Sequence, residues 1–580
     1  MNAGCKYMAL GMYCLISFPL FSQTMYLELN LNESGAGASR SFVSLAKPKL
    51  PVEIFRVIDK AAKDNKVKGI ILNIGSISGD RGYLWELRRE LEKFKASGGL
   101  HGGKKICAYI SNADMDVYCL ATVADKIVMD ELGTLSLLGY SMNRAYVKNT
   151  LEKLGVGVRE LRYLEYKSAS ETFTRDSMSE ADRRQYSEYL DDIFSLTGDT
   201  IKKARNMTDE NFNAAVNGDF LYSSKGAVNR GLVDHSGRKD AVMRAIKEIE
   251  GGEVKNFALY GESVSSLCGD VTAYAPPKSG GRPFKRAPVI AVINANGQTD
   301  MERGMAALSL AEIIREAAEN RRVKAIVIRM ESPGGSAEAA DHLAEAVRFA
   351  KEKVPVVVSM GEVAASGGYW ASMYASRILA SPFTITGSIG VIGSWFYDNG
   401  FNAKLGLSTD VIQRGSHADL LTGVILPSRD LTAGEEERYK AYILEIYNLF
   451  TAKVALGRGM DIEKAEASAQ GRIFSGRRAL EAGLIDEVGG LADALRAARA
   501  LAEIPEDRPV KYEEYPKPKF MDKIFERFLL TKTSAITAAG GIELFFPGAE
   551  IRPEIMREIR CRLQNNGKVM PILPLDFYVR

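Results

Sequence analysis

"AAKDNKVKGIILNIGS" (residues 61–76) and "AAENRRVKAIVIRMES" (317–332) share one pattern: a helix end, a charged turn, then an apolar run rich in β-branched residues. An apolar run without alternation is the signature of a strand covered on both faces. Two more pairs follow in the same order. "YCLATVADKIVMDELGTLSLLG" (118–139) matches "YWASMYASRILASPFTITGSIG" (369–390), and "FLYSSKGAVNRGLVD" (220–234) matches "RIFSGRRALEAGLID" (472–486). The spacing stays at about 250 residues throughout, which identifies a tandem duplication. Within each copy, strands alternate with helices across short Gly-containing turns. That order predicts βαβ units and a largely parallel sheet in an α/β fold.

The duplication sets the expected boundaries. Residues 1–22 read as a signal peptide or N-terminal membrane anchor, because Lys6 precedes an apolar run from Tyr7 to Phe21 that lacks an amphipathic period. The first copy is expected over 23–258 and the second over 288–510. Between them, 259–287 is rich in Gly, Pro and Ser and reads as a linker. The remaining 511–580 reads as a tail without a counterpart in the first copy.

Composition narrows the function classes. A net charge of +3 over 580 residues gives no basic stripe, and no nucleic-acid partner is expected. The six cysteines have no C-x-x-C spacing, so neither a metal site nor a disulfide framework is predicted. "GGLHGGKK" (98–105) mimics a phosphate loop but lacks the Ser/Thr and precedes a strand instead of following one. No cofactor is expected.

Chemistry enters where the copies differ. "VAASGGYW" (363–370) places Ser366 before two glycines at a strand-to-helix junction, a turn that exposes a hydroxyl beside free backbone amides. Matching the tyrosines of the two copies puts Met115 opposite Ser366 and Asp116 opposite Gly367. A second glycine loop, "SPGGS" (332–336), offers another backbone donor, whereas the first copy has "SISGD". A serine nucleophile needs a base. The four histidines (His101, His235, His342, His417) have no spacing that supports a Ser-His-Asp triad. Lysine is the alternative, provided burial lowers its ordinary value of roughly 10.4. Lys167, in "YLEYKSASETF" (163–173), is matched in the second copy by Gly415. The loss is reciprocal: one copy keeps the serine, the other the lysine.

Together, "SPGGS", "AASGGYW", "TGSIGVIG" and "YKSASETF" in a duplicated chain resemble the signal peptide peptidase A (SppA) family in its long, two-copy form, over roughly residues 45–500. The resemblance implies a ClpP/crotonase-like α/β fold in each copy and a serine peptidase with a Ser–Lys dyad, here Ser366 and Lys167. It also implies that Ser388 holds the lysine amine and that the amides of Gly367 and Gly335 receive the oxyanion. It further implies a homotetramer at the extracytoplasmic face of the cell membrane that degrades released signal peptides and similar apolar peptides. One departure touches the lysine loop: the family has proline after the glutamate, and here Thr172 follows Glu171. Two other readings stand beside this one: a crotonase-type thioester enzyme, which uses paired loop amides without a covalent serine, and a non-catalytic membrane scaffold.

Overall fold

The computed structural model describes residues 24–31, 52–75, 80–98, 102–252, 257–259, 287–515 and 578–579. The expected signal peptide or anchor, nearly all of the linker and most of the tail lie outside the described residues.

Each copy builds one sheet. In the first, Leu221–Ser223, Lys126–Ser136, Lys105–Ala113, Val67–Ile74, Thr24–Asn30 and Phe257–Leu259 lie side by side, parallel except for Leu221–Ser223. The second repeats this with Ile473–Ser475, Ile385–Gly387, Val356–Ala365, Val323–Ser332, Val289–Asn296 and Lys511–Tyr515, again with only the first antiparallel. The central strands are buried along almost their whole length, as their unbroken apolar runs predict.

Side-chain bonds repeat with the strands. Tyr118 donates to Leu232 O at 2.6 Å, and Tyr369 donates to Leu484 O at 2.9 Å. Asp234 accepts from Ile127 N, and Asp486 accepts from Ile378 N. Arg205 and Arg458, each ending a 26-residue helix, both reach that same aspartate and the carbonyl of the glycine three residues before it. The two copies therefore share side-chain detail as well as topology.

One expected boundary moves. Lys511–Tyr515 pairs parallel with Val289–Asn296, as Phe257–Leu259 pairs with Thr24–Asn30. The second unit thus runs to residue 515, and its last strand does have a counterpart in the first. "KYEEY" lacks the apolar run of a central strand because a half-exposed edge strand carries charges where a central one carries valines.

The copies are joined in two ways. One apolar cluster runs from Ile70, Leu87, Phe94 and Ile106 of the first copy to Val292, Val327, Leu491 and Leu495 of the second. In addition, Val156–Leu161 of the first pairs antiparallel with Gly393–Asp398 of the second. That small ribbon sets the position of the residues that follow Leu161. Among the described residues, no helix is long and apolar enough to cross a membrane.

Candidate active site

Ser366 stands where Val356–Ala365 ends. The register along Val323–Ser332 slips before that point: Met330 faces Met360, then Ser332 faces Ala364. The Glu331 side chain fills the resulting bulge by accepting from Glu362 N (2.7 Å) and Val363 N (3.1 Å). Ser366 itself has φ 57° and ψ −113°, a conformation that costs a non-glycine residue about 1–3 kcal/mol. Two backbone bonds hold it there: Ser366 N to Gly387 O and Trp370 N to Ser366 O, both 2.8 Å. Gly367 opens the helix Gly367–Ser372, so its amide has no acceptor within that helix. Gly368 has no room for a side chain, since a Cβ there would lie 2.8 Å from Ser332 O.

The first copy has an ordinary helix start instead. Asp114 is the N-cap of Met115–Ala121, at φ −88° and ψ −172°, and its carboxylate accepts from Val117 N at 2.9 Å. The strand register and the tyrosines agree that Met115 stands opposite Ser366: Ala113 faces Leu135 as Ala364 faces Thr386, and Tyr118 and Tyr369 make the same bond. The helix of the first copy begins one residue earlier than that of the second, with Asp114 as its cap. Asp116 is bound by the Arg81 Nε and the Tyr140 hydroxyl.

Lys167 reaches Ser366 from the other copy. The antiparallel ribbon carries the chain past Leu161 to a loop that lies on Gln470–Gly471, with Tyr166 N donating to Gln470 O at 3.2 Å. The Lys167 side chain is 1% exposed and Ser366 is 0% exposed. Lys167 Nζ lies 2.6 Å from Ser366 Oγ, 2.9 Å from Ser388 Oγ and 2.8 Å from Ser388 O. Ser388 also has a positive φ, 49°, which lets its hydroxyl and carbonyl approach the same amine. The structure thus brings together Ser366, Lys167 and Ser388, as the sequence reading groups them.

Gly335 has φ 157°, and a Cβ there would meet Thr299 O at 2.1 Å, so only glycine fits this turn. The gap between Gly335 and Gly367 is narrow: a Cβ on Gly367 would lie 3.2 Å from Gly335 N. The two candidate oxyanion donors are therefore neighbours. Gly415, matched to Lys167 by sequence, lies in an exposed loop. Of the histidines, His235 pairs with Glu248, His417 pairs with Glu435, and His342 faces solvent on Ala337–Lys351; His101 lies outside the described residues. The partner of the Ser366 hydroxyl is the lysine.

Three residues absent from the sequence reading build the lysine loop. Gly471, at φ 80°, leaves room for Lys167, because a Cβ there would lie 2.6 Å from Lys167 Cβ. Arg144 donates to Ser168 O (2.6 Å), Thr172 Oγ1 (3.0 Å) and Asp182 Oδ2 (2.7 Å). Asp182 in turn accepts from the Ser168 hydroxyl and from Gln185 Nε2, which also reaches Tyr166 O. Thr172, the departure from the family pattern, is one of the anchors of this clamp. The only sequence signal for it was negative, a polar residue where a rigid one is expected.

The pattern of Peptidase family S49 matches residues 100–252 and 348–505, one segment in each copy. The chain is 33% identical over 467 residues to "Serine protease SPPA, chloroplastic" of Arabidopsis thaliana, covering 79% of this chain and 67% of that one. It is 31% identical over 480 residues to "Protease 4" of Salmonella typhi, covering 80% and 74%. Among solved structures, a mutant of the 1510-N membrane-bound stomatin-specific protease aligns at 16% identity over 40% of this chain and 99% of its own, with a TM-score of 0.27.

Proposed function

The chain belongs to peptidase family S49 and is a serine peptidase; from that premise we propose that it is a membrane-associated endopeptidase that cuts apolar peptides, released signal peptides among them, with Ser366 as nucleophile and Lys167 as base. Family membership leaves no place for the thioester-enzyme and scaffold readings. The observation that carries the dyad is the 2.6 Å approach of two buried groups, one from each copy.

The amine must be neutral when Ser366 attacks, and the burial of Lys167 away from water favours that form, against the pull of the Ser388 oxygens that accept from it. The Ser366 Oγ–carbon bond forms as the hydroxyl proton passes to Lys167 Nζ and the carbonyl π pair moves onto oxygen. The amides of Gly367 and Gly335 receive that charge. The C–N bond then breaks, Lys167 returns its proton to the leaving amine, and water activated by Lys167 hydrolyses the acyl-enzyme. Ser388 keeps the amine aimed through both exchanges. Membrane association is supported by the apolar run from Tyr7 to Phe21, and the substrate class by the motif resemblance.

Incubation of the full chain with a synthetic signal peptide, with cuts mapped by mass spectrometry, tests this reading. Wild type should cut within the apolar run, whereas Ser366→Ala and Lys167→Ala should leave the peptide intact while keeping the wild-type thermal midpoint. Retained cutting by either variant rejects the dyad, and an inert wild type rejects the substrate class.

A further inference from the structure

We propose that the hydroxyl of Thr299 is a third oxyanion donor, acting beside the amides of Gly367 and Gly335. This rests on the Ser366 acyl-transfer reading above. Thr299 follows the strand Val289–Asn296 and is 1% exposed. Its backbone is stitched to the glycine loop: Thr299 N donates to Gly334 O at 2.9 Å, and Ser336 N donates to Thr299 O at 2.7 Å. The side chain is therefore fixed against the two glycines whose amides face the reacting carbonyl. A Cβ on Gly367 would lie 2.6 Å from Thr299 Oγ1, and one on Gly335 would lie 2.7 Å from it. The hydroxyl sits in the cleft between both.

Among the described residues, that hydroxyl has no hydrogen-bond partner. An unsatisfied buried hydroxyl costs about 1–3 kcal/mol, and valine would fill the same volume without that cost. The loop retains a polar atom that the folded chain does not use, beside the place where negative charge develops. When Ser366 Oγ bonds to the carbonyl carbon and the π pair moves to oxygen, the Thr299 O–H donates to that oxygen. No bond to Thr299 forms or breaks, and its proton returns to full ownership when the carbonyl reforms.

The test compares wild type, Thr299→Val and Thr299→Ser on a fluorogenic apolar peptide, with fluorophosphonate labelling of Ser366 followed by mass spectrometry. Thr299→Val keeps the shape and removes the donor, so kcat should fall by about 10- to 1000-fold with KM nearly unchanged. Thr299→Ser keeps the donor and should return to within about fivefold of wild type. A shape-filling threonine gives the opposite order, with valine near wild type and serine impaired; that result overturns the role. Equal thermal midpoints show that the loop has held; a Thr299→Val that unfolds leaves the serine variant to decide, since a donor role requires serine to retain activity. A wild type that neither hydrolyses nor labels at Ser366 overturns the acyl-transfer reading and this one with it. A wild type that does both while Thr299→Val equals it overturns Thr299 alone.

Discussion

Arg144 and Asp182 meet at 2.7 Å with both side chains 0% exposed, and between them they hold both the carbonyl and the hydroxyl of Ser168, the residue after the candidate base. Breaking one half of a buried pair strands a charge, at a cost of about 3–5 kcal/mol. Arg144→Met and Asp182→Leu should therefore each lower stability by that amount in urea unfolding. The double variant should lose much less than the sum of the two, because two apolar side chains replace the pair without an orphan charge. Additive losses, or singles as stable as wild type, would show that the pair is no clamp.

Gly471 offers a sharper probe of where the amine must sit. Alanine there places a methyl 2.6 Å from Lys167 Cβ, so the lysine backbone must retreat. A displacement of about 1 Å in a catalytic group costs on the order of 100-fold in rate. Gly406 is the control: its φ is also positive, 71°, and nothing lies within 4 Å of an added Cβ. Gly406→Ala should pay only the backbone strain of about 1 kcal/mol and keep its hydrolysis rate. Equal rates for the two variants would dissociate lysine placement from turnover.

Much of this arrangement is legible in the sequence. The repeats carry the fold because buried parallel strands leave long apolar runs, and duplicated ones leave them twice. The Ser366 elbow was readable from two adjacent glycines, and Lys167 from its absence in the other copy. Asp182, Arg144, Thr299 and Gly471 were not, since each acts through contacts with segments distant in sequence and none has a local pattern.

Glu160 should make the seam between the copies sensitive to pH. It lies on the ribbon opposite Ser394, and its Oε1 is buried without a hydrogen-bond partner among the described residues. Burial raises its pKa to about 7, against the opposing pull of Arg162. The folded form therefore binds this proton more tightly than the unfolded chain does, whose ordinary value is 4.5. The contribution of this group to stability is fully present below about pH 4.5 and is lost as pH rises to about 7. Glu160→Gln should remove that slope. Its urea midpoint should exceed that of wild type at about pH 8 and approach it at about pH 5, and parallel curves would exclude Glu160 as the source.

The joint inside the chain also predicts how chains join each other. In the first copy, the residues after Gly155 form the strand Val156–Leu161, which pairs with Gly393–Asp398 of the second, and the following loop covers Gln470–Gly471. In the second copy, "KLG" (404–406) repeats "KLG" (153–155), but among the described residues the segment that follows pairs with no strand. Leu407, Ile412, Leu421 and Val424 are 38%, 91%, 76% and 57% exposed. The corresponding surface of the first copy includes Leu138, Phe220 and Leu221, which are 69%, 46% and 55% exposed, beside the short strand Met142–Asn143, which pairs with Tyr578–Val579 of the same chain. We propose that these two apolar patches, one in each copy, meet head to tail between chains, a heterologous contact that forms a ring where the rotation closes. Leu421→Asp and Leu138→Asp should each lower the assembly mass in sedimentation without changing the fold by circular dichroism. Mixing the two variants should restore no closed ring, because each chain lacks one working end. Wild type that sediments as a single chain, or variants that keep the wild-type mass, would refute the repeated joint.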